Sequence, residues 1–126
     1  MKRDFDLIRD LLLYVEINAS IDSFLEDAET FNSKYDETTV LGHIKLLSEA
    51  GLIDALDWSS MSKTTYAIKG LTMVGHDYLD SVRDPKIWSD TKSGLAKVGG
   101  TATLSIVQAT AIAMLKASLA KAGINI

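Results

Sequence analysis

Four residues spaced by four, three and four positions, Thr38, Gly42, Lys45 and Glu49, share one face of any helix that contains them. If such a face met a nucleic acid, it would have to offer Arg, Lys, Asn or Gln to base edges and surround them with cationic phosphate contacts. This face offers one lysine. Glu49 repels phosphate, and Gly42 brings no side chain, although it permits close approach by another backbone. Lys63 is the single cation in the polar connector Ser59-Ser60-Met61-Ser62-Lys63, and Asp54 and Asp57 precede it. His76 and Asp80 stand one helical turn apart, where they could offer two ligands to a metal, but no third ligand is identifiable. There is no glycine-rich phosphate loop, nucleophile motif or carboxylate pair in a recognisable pocket, and there is no cysteine. The reading is therefore a non-catalytic protein, with no cofactor and no metal.

Local signals predict the elements that carry these residues. Asp4 can cap a helix with apolar positions Phe5, Ile8, Leu11, Leu12 and Val15. Residues 21–30 are acidic and weakly periodic, with Ile21, Phe24, Leu25 and Ala28 as apolar members, and predict a short second helix. Asp36 opens a third, with Val40, Ile44 and Leu47 as its buried stripe and Gly51 at its stop. Residues 52–58 and 64–68, rich in branched and aromatic side chains, predict a two-stranded hairpin. Thr72 begins a helix carrying Val74, Tyr78, Leu79 and Val82, and Asp84-Pro85 ends it and starts another with Ile87, Trp88, Thr91 and Leu95. After Gly99-Gly100 a last helix, Leu104 to Lys121, buries Leu104, Val107, Ala111, Met114, Leu115 and Leu119 on one side. Its other side carries Ile106, Ala109, Ile112, Ala113, Ala117 and Ala120, a second packing surface for which a homodimer is the expectation and packing against the first helix within one chain the alternative.

With 126 residues, 47% of them hydrophobic and 24% charged, the chain can bury a core without disulfides or a structural metal. The net charge of -4 is unevenly spread. Residues 1–60 hold five Lys or Arg against thirteen Asp or Glu, a balance of -8, and residues 61–126 hold eight against four, a balance of +4. Polyanions are bound through Lys and Arg, so the front half is a poor DNA surface and the lysines at 86, 92 and 97 a better one. Alternating charges over Met1-Lys2-Arg3-Asp4-Phe5-Asp6 do not form a signal peptide, and no unbroken apolar run of membrane-spanning length is present. A cytoplasmic protein without a membrane partner is expected.

Helix, short helix, helix, hairpin and exit helix is the order of a winged helix-turn-helix domain. The fold class expected is thus mainly α with a small β-hairpin, a winged-helix domain over 1–84 and a C-terminal helical extension over 85–126 on the same core. The segments His43-Ile44-Lys45-Leu46-Leu47-Ser48-Glu49-Ala50-Gly51-Leu52-Ile53 and Gly75-His76-Asp77-Tyr78-Leu79-Asp80 resemble the YjcQ-like family, as do Met1 to Arg9, Val82-Arg83-Asp84 and Trp88 with Thr91-Lys92. That family is a set of small bacterial and prophage proteins, and the resemblance implies a winged helix and an association with phages. It carries over no site residues. The function expected is protein contact by a regulatory or interaction protein. Its acidic face, Asp22, Glu26, Asp27, Glu29, Asp36 and Glu37, would meet a basic host protein, and nucleic-acid binding would be weak. The alternative is a DNA-binding transcriptional regulator using the third helix and the wing.

Overall fold

The structure, a computed structural model, describes residues 1–26, 31, 33–99 and 102–124. Its elements run α1 (Phe5–Asn18), α2 (Glu37–Glu49), β1 (Ile53–Asp57), β2 (Tyr66–Leu71), α3 (Met73–Val82), α4 (Pro85–Lys97) and α5 (Leu104–Lys121). It is mainly helical with one two-stranded antiparallel hairpin. Two compact units result, Met1–His76 and Asp77–Ile126, and the division falls inside α3, ahead of the 84/85 boundary read from Pro85.

In the N-terminal unit, Asp4 caps α1 by accepting the Leu7 N–H at 3.1 Å. The stripe Ile8, Leu11, Leu12 and Val15 is buried, joined by Leu7. In α2 the stripe Val40, Ile44 and Leu47 is buried with Leu52, as the spacing predicted. Asp36 stands at the N-cap without a side-chain bond, and Gly51 follows the last turn at φ +76, where other residues are strained. The hairpin begins one residue later than expected, and β2 reaches Leu71 instead of stopping at Ile68. Pairing runs Ile53 to Leu71 and Asp54 to Gly70, then skips Lys69 to match Ala55 with Ile68, so Lys69 is the extra residue of a bulge.

The short helix expected over 21–30 is not formed in its described part. Residues 20–26 make a turn and an extended segment instead. Leu25 exchanges both backbone bonds with Ile68, at 2.9 and 2.8 Å, along the free edge of β2. An available strand edge satisfies this backbone better than a helix with too little periodicity to bury a face. Ala28, Asp27 and Glu29 lie outside the described residues.

The entry to α3 is a close contact. Thr72 donates its hydroxyl to the Gly51 carbonyl, its N–H to the Leu52 carbonyl at 3.0 Å, and accepts the Gly75 N–H at 3.0 Å. Gly75 is buried against the same Leu52 carbonyl, and a Cβ there would lie 1.9 Å from that oxygen. The glycine is therefore required by approach, not by a turn. Val74, expected in the apolar stripe of this helix, is 58% exposed. The three or four apolar side chains that define a helix stripe are supplied here by Tyr78, Leu79 and Val82.

In the C-terminal unit, Asp84 caps α4 through the Ile87 N–H at 2.9 Å with Pro85 in the first turn, and Ile87, Trp88 and Thr91 are buried. Thr103 caps α5 by accepting the Ile106 N–H. Val107 and Ala111 are its buried residues, and α5 packs on α4, where Gly94 stands beside Met114 and Thr110. The helix is long and apolar enough, by length and composition alone, to cross a membrane, although polar residues break its apolar run. Lys116 interrupts its apolar surface, and Val107 and Ala111 are buried on the side that leaves the rest of the helix exposed or half-buried. Burial pushes the Tyr78 phenol above its ordinary value, and its hydroxyl makes no hydrogen bond among the described residues.

Candidate functional site

The face of α2 read from the sequence is present, but its chemistry is largely consumed within the chain. Thr38, Lys45 and Glu49 are exposed and Gly42 is half-buried. Lys45 pairs with Glu49 at 3.4 Å. A second carboxylate also feels Lys45: Asp57 at the end of β1 is held below the ordinary carboxylate range, first by the Ser59 hydroxyl and N–H and then by the Lys45 charge. The one base of α2 besides His43 therefore faces two acids. Over Gly42 lies the Met1 side chain, whose sulfur would be 2.6 Å from a Cβ at that position. The N-terminal segment thus covers the spot where the absence of a side chain would have admitted another backbone.

What fixes that segment is His43, which sequence reasoning placed in a motif but not in the core. It is fully buried. Its Nε2 accepts the Asp4 N–H at 2.8 Å, so Nδ1 carries the proton and donates to the Thr39 carbonyl at 2.8 Å. The imidazole is a structural bridge from α2 to the cap of α1. Its position in the Val40–Leu47 stripe, three residues after Val40 and four before Leu47, was the signal available.

Lys63 stands exposed in the hairpin loop, which is closed by the Ser60 N–H to the Lys63 carbonyl at 2.8 Å. His76 is not paired as its spacing from Asp80 suggested. Its Nδ1 lies 3.7 Å from Glu16, and Asp80 accepts from Arg83 at 2.8 Å. Among the described residues no group of three or more metal-ligating side chains is assembled. Of the lysines on α4, Lys86 pairs with Asp90 at 3.0 Å and Lys92 lies 5.7 Å from the Trp88 ring centroid. On α5, Ile106, Ala109, Ile112, Ala113, Ala117 and Ala120 are all exposed, opposite Val107 and Ala111.

The N-terminal unit thus presents a helix-and-hairpin scaffold whose α2 face carries a paired lysine and glutamate. The chain belongs to the family described as "Hypothetical protein (DUF2513)", which matches residues 2–102. This agrees with the expected membership of a small family without an assigned activity; it does not show YjcQ-like identity. The chain is also similar to an uncharacterized protein of Haemophilus influenzae, 35% identical over 121 residues that span 95% of this chain and the whole of that protein. No solved structure matches.

Proposed function

We propose that this chain is a winged-helix regulatory or interaction protein of phage or prophage type, acting in the cytoplasm by protein contact and without catalysis. The order α1, α2, hairpin, α3 supports the winged-helix reading, with the short helix expected ahead of α2 not formed in its described part. The observation that carries the functional reading is the charge balance at Lys45, whose ammonium lies against Glu49 and within the field of Asp57. A helix docking in the major groove needs several phosphate-neutralising contacts, and α2 brings none that is not already offset. The N-terminal unit as a whole carries seven Lys or Arg against thirteen Asp or Glu. A basic partner protein fits that field.

The open stripe of α5, Ile106, Ala109, Ala113, Ala117 and Ala120, supports a homodimer, since small side chains let two helix backbones approach closely. Affinity capture of the tagged chain from its native host, with and without nuclease, tests the main reading. Captured proteins should survive nuclease. Their loss, or selection from random DNA of a sharp motif abolished by Lys45→Ala, favours the transcriptional regulator instead.

A further inference from the structure

Beside the hairpin, the N-terminal unit has an open depression of about 520 Å³ lined in part by Ser23, Phe24, Asp54, Lys69 and Gly70. Its aromatic wall is left uncovered. Phe24 meets Trp58 edge to face with ring centroids 5.4 Å apart, yet the two residues remain 45% and 46% exposed. Lys69, pushed outward by the bulge, holds its ammonium 5.9 Å from the Phe24 centroid, so this ring already attracts a cation. Ile21 is fully exposed next to Phe24, and Leu56 is exposed two residues before Trp58, on the same side of its strand. Aromatic side chains with this much open surface are the ones that anchor protein interfaces.

The surroundings are acidic. Asp54 lines the depression, and Asp22 and Glu26 flank Phe24 in sequence, all three exposed. Ring faces and carboxylates both attract positive charge. A nucleic-acid strand can also stack on exposed aromatics, but its phosphates would meet these three carboxylates. A guanidinium suits the place better than an ammonium, because it is planar, stacks on rings and forks onto a carboxylate.

We propose that the Phe24–Trp58 surface, with Asp54 beside it, is the docking site for an arginine-bearing segment of a basic partner protein, its guanidinium between ring and carboxylate and its apolar neighbours on Ile21 and Leu56. This rests on the protein-contact reading above and adds where and how the partner is held. Lys69 opposes an incoming cation, so its removal strengthens binding of such a segment, whereas it would weaken binding of an anion.

The test uses the full chain, a synthetic peptide of repeated Arg-Leu-Gly and a single-stranded oligo-dT, with affinities from calorimetry. Trp88 is buried, so a shift in tryptophan emission reports Trp58. The peptide should bind with a dissociation constant on the order of 10 µM. Trp58→Ala and Asp54→Asn should each weaken it roughly tenfold, Trp58→Phe much less, and Lys69→Ala should tighten it. All three positions are exposed, and circular dichroism checks that the variants fold. Absence of peptide binding, indifference to Trp58→Ala and Asp54→Asn, or oligo-dT bound more tightly than the peptide overturns the proposal. Nuclease-resistant capture of host protein that persists in Trp58→Ala removes this site while leaving the protein-contact reading in place. Nuclease-sensitive capture removes that reading itself.

Discussion

Replacing Gly75 with alanine sets two effects of opposite sign against each other. In the interior of a helix the exchange is worth about 1 kcal/mol in favour of Ala, because Gly loses more backbone freedom on folding. Against this stands the Leu52 carbonyl. The new Cβ would lie 1.9 Å from its oxygen and 2.9 Å from its carbon, and both are backbone atoms that cannot rotate away. Ordinary contact requires α3 and the 51–52 backbone to separate by more than about 1 Å. Leu52 is anchored on the other side by its N–H to the Leu47 carbonyl at 2.9 Å, so the movement falls on the bonds from Thr72 to Leu52 and Gly51. Two weakened hydrogen bonds cost about 2 kcal/mol. Overpacking adds roughly 1 to 3 kcal/mol. Net of the propensity gain, Gly75→Ala should destabilise by about 2 to 4 kcal/mol, which for a chain of this length lowers the melting temperature by about 10 °C. Urea denaturation followed by far-ultraviolet circular dichroism measures it. Gly94→Ala is the control, since its Cβ meets only the Met114 methyl at 3.2 Å and the Thr110 methyl at 3.8 Å, side chains that can shift. It should be neutral or stabilising by up to about 1 kcal/mol. Equal stability of the two variants would refute the close-approach argument.

His43→Ala should cost about 3 to 5 kcal/mol, through the cavity and the stranded Asp4 N–H, while His43→Gln, which keeps an acceptor, should recover part of this in the same denaturation assay. Ile44→Ala should cost on the order of 2 to 5 kcal/mol for the cavity alone. Tyr78 has its folded value raised by burial, so the stability it contributes is present below the ordinary tyrosine value near 10 and is lost as pH rises above it. Unfolding transitions across alkaline pH should show that loss in the wild type and not in Tyr78→Phe. In duplex DNA binding at physiological salt, Lys45→Ala should change little, and replacing Lys86, Lys92 and Lys97 together should flatten any salt dependence. Light scattering should give a dimer mass, and a strict monomer at high concentration would remove the role assigned to the α5 stripe.

Much of the secondary structure was legible because its signals are local. The α1 stripe, the Asp84-Pro85 start of α4 and both ends of α5 each depend on residues within a turn or two of one another. The segment at 20–26 was misread because its conformation is set by Ile68, far along the chain, and no local pattern announces a strand of one bridge. His43 was placed in a motif but not in the core for the same reason, since the group it serves is the Asp4 N–H. The exposure of Thr38, Lys45 and Glu49 follows from the α2 stripe and the Lys45–Glu49 balance from their spacing, whereas the second acid, Asp57, reaches Lys45 only through the fold. Phe24 and Trp58 each looked like members of elements; their meeting was not visible from either segment.

The bulge at Lys69 also works as a phase shift in the chain. A strand alternates its side chains with a period of two, so one unpaired residue exchanges the sides for everything that follows until the strand ends. Gly70 and Leu71 are read in the shifted phase, and Thr72, one step later, must arrive with its hydroxyl at the Gly51 carbonyl. The bulge absorbs that extra residue where it stands: Gly70 still faces Asp54 and Leu71 still faces Ile53, so the ladder keeps its pairs on both sides of position 69. Composition there is free, whereas an additional residue between Ile68 and Thr72 would need a further bulge to bring Thr72 to the Gly51 carbonyl.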